Sequence, residues 1–136
     1  MIKKVLVLCT GNSCRSIIAE ALINSEFEGK IKAYSSGVAA SGRVNPNAKK
    51  ILQSKHIWKD EYHSKVIDAV MHIPFDLVIT VCENASQTCP VFPGNTPIIH
   101  LAFNDPDGKD YDAFELCFEE IQNRLLSSLS SYSFDK

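Results

Sequence analysis

The sequence predicts a doubly wound, four-stranded parallel α/β sheet with helices on both faces. Three observations lead there. Short apolar or β-branched runs alternate with segments of helical periodicity, so successive strands need crossovers and pair in parallel. The chain has 136 residues, enough for a single domain (1–136) with a sizeable core and little room for a second. Its hydrophobic fraction of 45% and charged fraction of 22% are those of a folded globular chain. They exclude wholesale disorder and a collagen-like chain.

Taken in order, Ile2 to Leu8 is an apolar run ended by Thr-Gly-Asn, the pattern of a buried strand. From Ser16 to Phe27, apolar Ile17, Ile18, Ala21 and Leu22 recur at helical spacing, with Glu20 and Asn24 between them. Ile31 to Ser35 reads as a second strand, closed by Gly37. Val38 to Asn45 has no periodicity and reads as an exposed loop. Pro46 then opens a helix, with Asn45 as its cap. A weaker helix is expected over Ser64 to Met71. Asp76 to Val81 is the clearest strand, bounded by Pro74, and Pro97 to His100 is a short fourth. The last helix runs from Tyr111 to Leu129, with Phe114, Cys117, Phe118, Ile121 and Leu125 on one face. The Ser-rich tail behind it is expected to fray.

A net charge of −2 gives no bulk reason to expect nucleic acid as partner. The apolar run at the amino terminus, Val5 to Cys9, is too short for an export signal, and no stretch approaches the ~20 residues of a membrane span. A cytoplasmic monomer without membrane contact is the expectation. Five cysteines in such a chain point to reactive or core thiols rather than structural disulfides.

The densest chemistry lies in Cys9-Thr10-Gly11-Asn12-Ser13-Cys14-Arg15-Ser16, a C-x5-R segment between a strand and a helix. A loop wrapping into a helix N-terminus aims several N–H groups at one point, and the helix dipole adds positive potential. Arg15 can grip a tetrahedral oxyanion such as phosphate or sulfate through two parallel hydrogen bonds. The same field favours a Cys9 thiolate, which makes Cys9 the expected nucleophile. Ser16 can donate to that thiolate, Gly11 gives the tight path, and Asn12 tolerates the left-handed region. In open α/β sheets ligands bind beyond the carboxyl ends of strands, where this loop sits.

The segment VLVLCTGNSCRSIIAEAL resembles the phosphate loop and first helix of low-molecular-weight protein tyrosine phosphatases and their relatives, the thioredoxin-coupled arsenate reductases. The resemblance extends through TVCENASQTCPVFPG and HLAFNDP, nearly the whole chain. It implies that Asp105, in Asn104-Asp105-Pro106, stands above the anion loop and protonates the leaving oxygen as a general acid. On residues alone Asp-Pro is a common turn pair, so that role comes from the resemblance and from its place after the last strand.

Cys82 and Cys89 flank a polar segment after the third strand. They can bond if the segment bends to bring their Cα atoms within about 7 Å. A metal pair or two unrelated core thiols are the alternatives, the first weakened because the four histidines are scattered. The resemblance to arsenate reductases implies the redox reading: Cys9 attacks arsenate, Cys82 attacks Cys9, Cys89 resolves the disulfide and thioredoxin reduces it. No bound cofactor or metal is implied. A phosphatase using a phosphocysteine, and an oxyanion-binding or redox-sensing module without turnover, are the competing readings. Cys117 reads as core, and Cys14 as structural.

Two departures stand out. Relatives carry His-Trp-Gly-Phe where this chain has His100-Leu101-Ala102-Phe103. Some relatives bind potassium through an Asn, a Glu, a Ser and a Thr-x-Asp pair. Asn12, Glu20 and Ser35 match, but His63-Ser64-Lys65 stands where the Thr and Asp would be, and a lysine ammonium can substitute for the ion.

Overall fold

The computed structural model describes residues 2–81 and 96–134; Cys82 and Cys89 lie outside the described residues. Strand β1 (Lys3–Cys9) leads through the C-x5-R loop into helix α1 (Arg15–Glu26), and β2 (Ile31–Gly37) follows. After α2 (Pro46–Ser54) come β3 (Leu77–Thr80), β4 (Ile98–His100) and α3 (Tyr111–Ser131). The sheet order is β2-β1-β3-β4, and every described pairing is parallel. β1 runs beside β2 from Lys3↔Ile31 to Cys9↔Gly37, and beside β3 from Val5↔Leu77 to Leu8↔Thr80. Connections therefore leave β1 toward opposite sides of the sheet. That topological switch opens a crevice at the carboxyl end of β1.

Strand alternation divides the core. Val5, Val7, Leu77 and Ile79 face the α layer, where they meet Ile17, Ile18 and Ala21 of α1, Ile51 and Leu52 of α2, and Phe114, Ile121 and Leu125 of α3. Each such Leu, Ile or Phe side chain contributes about 1.5–3 kcal/mol on burial. Leu6, Leu8 and Val78 face the other way, covered by Val70, Ile67, Met71, Ile73 and Phe75. α1 is buried over every residue from Arg15 to Asn24, since it lies between the sheet and α3. Even its polar members, Ser16, Glu20 and Asn24, are inside.

Two expectations are corrected. The helix expected over Ser64–Met71 is a 3₁₀ turn, Ile67–Ala69. The backbone before it is extended, because Val66 bridges Gly37 and Lys65 gives its N–H to Asn12 and its C=O to Gly37. Hydrogen bonds to distant segments outcompete a weak, β-branched helical pattern. The tail is also more ordered than its composition suggests: Tyr132 and Phe134 pack on the core and on each other, ring centroids 4.8 Å apart. No described helix is long and apolar enough to cross a membrane.

Candidate active site

The loop from Cys9 to Arg15 is held from outside by its carbonyls. Those of Cys9, Thr10, Gly11 and Ser13 accept N–H groups from Val38, Ala39, Ser41 and Asn45 at 2.9–3.1 Å. Ser64 Oγ donates to the Gly11 carbonyl as well, at 3.2 Å. In a trans peptide the next N–H points opposite to the C=O, so carbonyls turned outward leave the following amides turned inward. Among the described residues, no acceptor meets the N–H of Gly11, Asn12 or Cys14. The loop thus ends in converging donors at the first turn of α1. Cys14 occupies the cap position there, without a side-chain cap.

Asn12 is the hinge of the loop. It is fully buried and adopts φ 50°, the left-handed conformation expected for it. Its Oδ1 accepts from Lys65 N–H at 2.8 Å, and its Nδ2 donates to Ser16 Oγ at 2.7 Å. Because Ser16 Oγ accepts that bond, its own proton is directed elsewhere than Asn12, as a donor role requires. The tight path belongs to a different glycine from the one expected. A Cβ on Gly11 would meet Ser13 Oγ at an ordinary 3.7 Å, whereas a Cβ on Gly37 would lie 2.5 Å from the Thr10 carbonyl and 3.1 Å from Asn12 N. Gly37 lets β2 run against the loop, and from sequence it showed only as a strand end.

Arg15 is the first residue of α1 and only 8% exposed. Nη1 donates to the Phe103 carbonyl at 3.0 Å, and Nη2 lies 3.3 Å from Asp105 Oδ2. Nε is buried with no partner among the described residues. One end of the guanidinium is therefore anchored, and its Nε–Nη2 edge is the side that can take an oxyanion through two parallel bonds. A buried, orphaned N–H is uncommon and calls for a ligand.

Asp105 reaches Arg15 from the segment after β4, as the sequence reading placed it. Its carboxylate also accepts Asp107 N–H through Oδ1 at 3.0 Å, and about half the side chain is exposed. α3 holds this segment from below. Arg124 donates to the Ala102 carbonyl at 2.9 Å and stacks on the Phe103 ring, 4.6 Å from its centroid. Cys117 Sγ lies 3.9 Å from the Asn104 carbonyl. Sequence reasoning missed Arg124 and the Phe103 carbonyl; a backbone acceptor leaves no residue-type signal.

Cys9 ends β1, 2% exposed, at the mouth of the converging amides. Val81, one residue before Cys82, donates its N–H to Leu8, one residue before Cys9, at 3.0 Å. The other described thiols are unlike a nucleophile. Burial pushes the Cys14 thiol up to about 12, against a hydrogen bond from Ser13. Burial likewise pushes Cys117 up to about 12, opposed by the charge of Arg15. A cleft of about 320 Å³ opens beside the loop, lined by Ser13, Ser41, Arg43, Asn45, Pro46 and Asp107. None of these described residues is aromatic.

The residues that match the potassium ligands already take hydrogen bonds from the chain. Asn12 Oδ1 is taken by Lys65 N–H, and Glu20 Oε1 accepts Ser35 O–H at 2.6 Å. Burial pushes the Glu20 carboxyl above its usual range, and the Lys65 charge is the largest influence pulling it back. Burial lowers Lys65 in turn, and Glu20 is the largest influence raising it. Among the described residues no group of His, Cys, Asp and Glu is arranged to hold a metal.

A four-stranded parallel sheet with a cysteine–arginine anion loop at the carboxyl end of its central strand defines a class of oxyanion-handling proteins. The chain belongs to the low molecular weight phosphotyrosine protein phosphatase family, whose profile matches residues 4–132. It is 41% identical over 123 residues to an arsenate reductase of Bacillus cereus (strain G9842), covering 90% of this chain and 91% of that one. Among solved structures it is similar to an arsenate reductase from Archaeoglobus fulgidus, with a TM-score of 0.80, 33% identity and 93% and 99% of the two chains covered. It is also similar to an arsenate reductase in the phosphate binding state, with a TM-score of 0.79, 27% identity and 97% and 100% covered.

Proposed function

We propose that this protein reduces arsenate to arsenite by a relay of three thiols, Cys9, Cys82 and Cys89, and that thioredoxin regenerates it. The observation that carries oxyanion chemistry is the buried Nε of Arg15, unpartnered beside the converging loop amides and Cys9. Support for arsenate rather than a phosphate ester comes from Cys82 and Cys89 in the sequence and from relatives named arsenate reductase.

In this reading the amides of residues 10–16 and the Nε–Nη2 edge of Arg15 hold arsenate. The Cys9 thiolate displaces one hydroxyl of arsenate, which leaves as water on taking a proton from Asp105. Anion binding draws Arg15 Nη2 from Asp105, and that frees the carboxyl for the leaving oxygen. Cys82 then attacks Cys9 sulfur: the S–S bond forms, the As–S bond breaks, and arsenite departs with the electron pair. Cys89 attacks Cys82, which releases Cys9 and leaves a Cys82–Cys89 disulfide. The thioredoxin dithiol takes over that disulfide and completes the cycle. The protein is taken as a cytoplasmic monomer with no nucleic-acid or membrane partner and no bound cofactor.

A phosphatase that forms a phosphocysteine at Cys9 is the second reading, favoured by the family to which the chain belongs. The described lining of the cleft beside the loop is mostly polar, Arg43 and Asp107 included, and offers little to an aryl ring. The deciding experiment measures arsenite release with thioredoxin beside phosphate-ester hydrolysis, in wild type, Cys82→Ser and Cys89→Ser. The relay requires catalytic arsenite release from wild type, at most one equivalent from Cys89→Ser, and none from Cys82→Ser. Mass spectrometry after one equivalent of arsenate should find Cys9–Cys82 trapped in Cys89→Ser. Ester hydrolysis in all three proteins with no arsenite from any would assign the chain to the phosphatase branch.

A further inference from the structure

We propose that Arg124 of α3 is a positioning residue for the anion site: it holds the Ala102–Phe103 peptide so that the Phe103 carbonyl turns the Nε–Nη2 edge of Arg15 toward the loop amides. It acts through the segment after β4 and need not touch the anion. Three successive carbonyls of that segment meet side chains of α1 and α3. Arg124 Nη1 donates to Ala102 at 2.9 Å, Arg15 Nη1 donates to Phe103 at 3.0 Å, and Cys117 Sγ lies 3.9 Å from Asn104. The N–H groups turn the other way, onto β3 and the residue after it: Leu101 donates to Thr80 at 2.8 Å and Phe103 to Val81 at 3.1 Å.

The Ala102–Phe103 peptide is therefore held at both ends, its C=O by Arg124 and its N–H by Val81, which fixes its plane. The Arg124 guanidinium also lies over the Phe103 ring, 4.6 Å from the centroid, and fixes where that buried side chain points. The Phe103 carbonyl then has a single soft dihedral left. Arg15 is where this matters. Its guanidinium is planar, so the place of Nη1 decides where Nε and Nη2 point. Nε is buried with no partner among the described residues, and Nη2 lies 3.3 Å from Asp105, two residues beyond Phe103. A shift of the segment would turn the fork and carry Asp105 with it. Arg124 itself is exposed, so it contributes the bond and the stack rather than core volume.

This inference rests on the oxyanion site and not on arsenate reduction, and sulfate, which is not turned over, reads it for either chemistry. The test is a double-mutant cycle on the whole chain, followed by NMR titration with sulfate. Arg124→Met should weaken sulfate about tenfold. Arg124→Lys, which keeps a donor for Ala102 and a cation over Phe103, should stay within about threefold of wild type. In an Arg15→Lys background, where the fork is already gone, Arg124→Met should weaken sulfate by less than about twofold more. Loss of the Arg124 charge alone would weaken sulfate equally in both backgrounds. The Arg15 Nε–H resonance, identified by its absence from Arg15→Lys, should move on saturation with sulfate in wild type and stay near its free position in Arg124→Met. Should Arg124→Met not fold, Arg124→Ala, the best helix former at an exposed position, takes its place under the same criteria. An equal loss in both backgrounds overturns the proposal. So does wild-type affinity in Arg124→Met, or an Nε–H resonance there that moves as in wild type.

Discussion

Helices α1 and α3 pack against each other in one layer, yet their first turns are finished differently. Asp110 closes α3 by accepting Ala113 N–H, and Asn45 closes α2 in the same way through Asn47 N–H. α1 has neither a capping side chain nor an acidic residue in its first turn. A missing cap costs a helix about 1 kcal/mol. That cost falls where the preceding loop turns its amides inward and Arg15 keeps a buried N–H without a partner among the described residues. A capped N-terminus has its donors taken by the fold, whereas an uncapped one leaves donors that an anion can accept.

The strongest test of that contrast is at Cys9. Cys9→Ser should lower arsenate turnover about 10³-fold or more, because a serine at the same place has no accessible anion near neutral pH. Iodoacetamide near neutral pH should label Cys9 ahead of Cys14 and Cys117. Burial pushes both of those thiols up to about 12, so they stay protonated until pH approaches that value. Equal labelling of the three would remove the special status of the α1 terminus. Next in size is Arg15→Lys, which keeps the charge and loses the Nε–Nη2 fork. Sulfate affinity and turnover should fall about 10²-fold, and a smaller loss would mean the amides do the holding unaided.

Gly37→Val probes how the loop is backed. With Thr10 O 2.5 Å from a Cβ there, either the loop or β2 must move. Denaturant unfolding should show a loss of about 1–3 kcal/mol, with weaker sulfate binding alongside. The smallest effect is expected at Asp110→Ala: about 1 kcal/mol of stability lost with sulfate affinity unchanged. Were that variant to bind sulfate poorly, the two termini would not be separable as drawn.

Much of this site was legible one residue at a time. The C-x5-R loop, Asn12 as its left-handed hinge, the Asn45 cap and the apolar face of α3 all declare themselves within a few positions of chain. Such features are local, and local rules of capping and periodicity read them correctly. The Ser64–Met71 segment defeated the same rules because its donors and acceptors are spent on Asn12 and Gly37, far away in sequence. The tail misled for a related reason: a Ser-rich composition hid Tyr132 and Phe134, which find a place on the core.

The sequence by itself determined the alternation of strands and helices and the position of the C-x5-R loop between β1 and α1. Each follows from neighbours along the chain. Only the tertiary structure decided that Gly37 rather than Gly11 makes the close approach. It alone brought the Phe103 carbonyl to one end of Arg15 and the Lys65 N–H to Asn12. Those contacts join segments tens of residues apart, and nothing in residue type or spacing encodes which buried donor will meet which acceptor until the sheet brings them together.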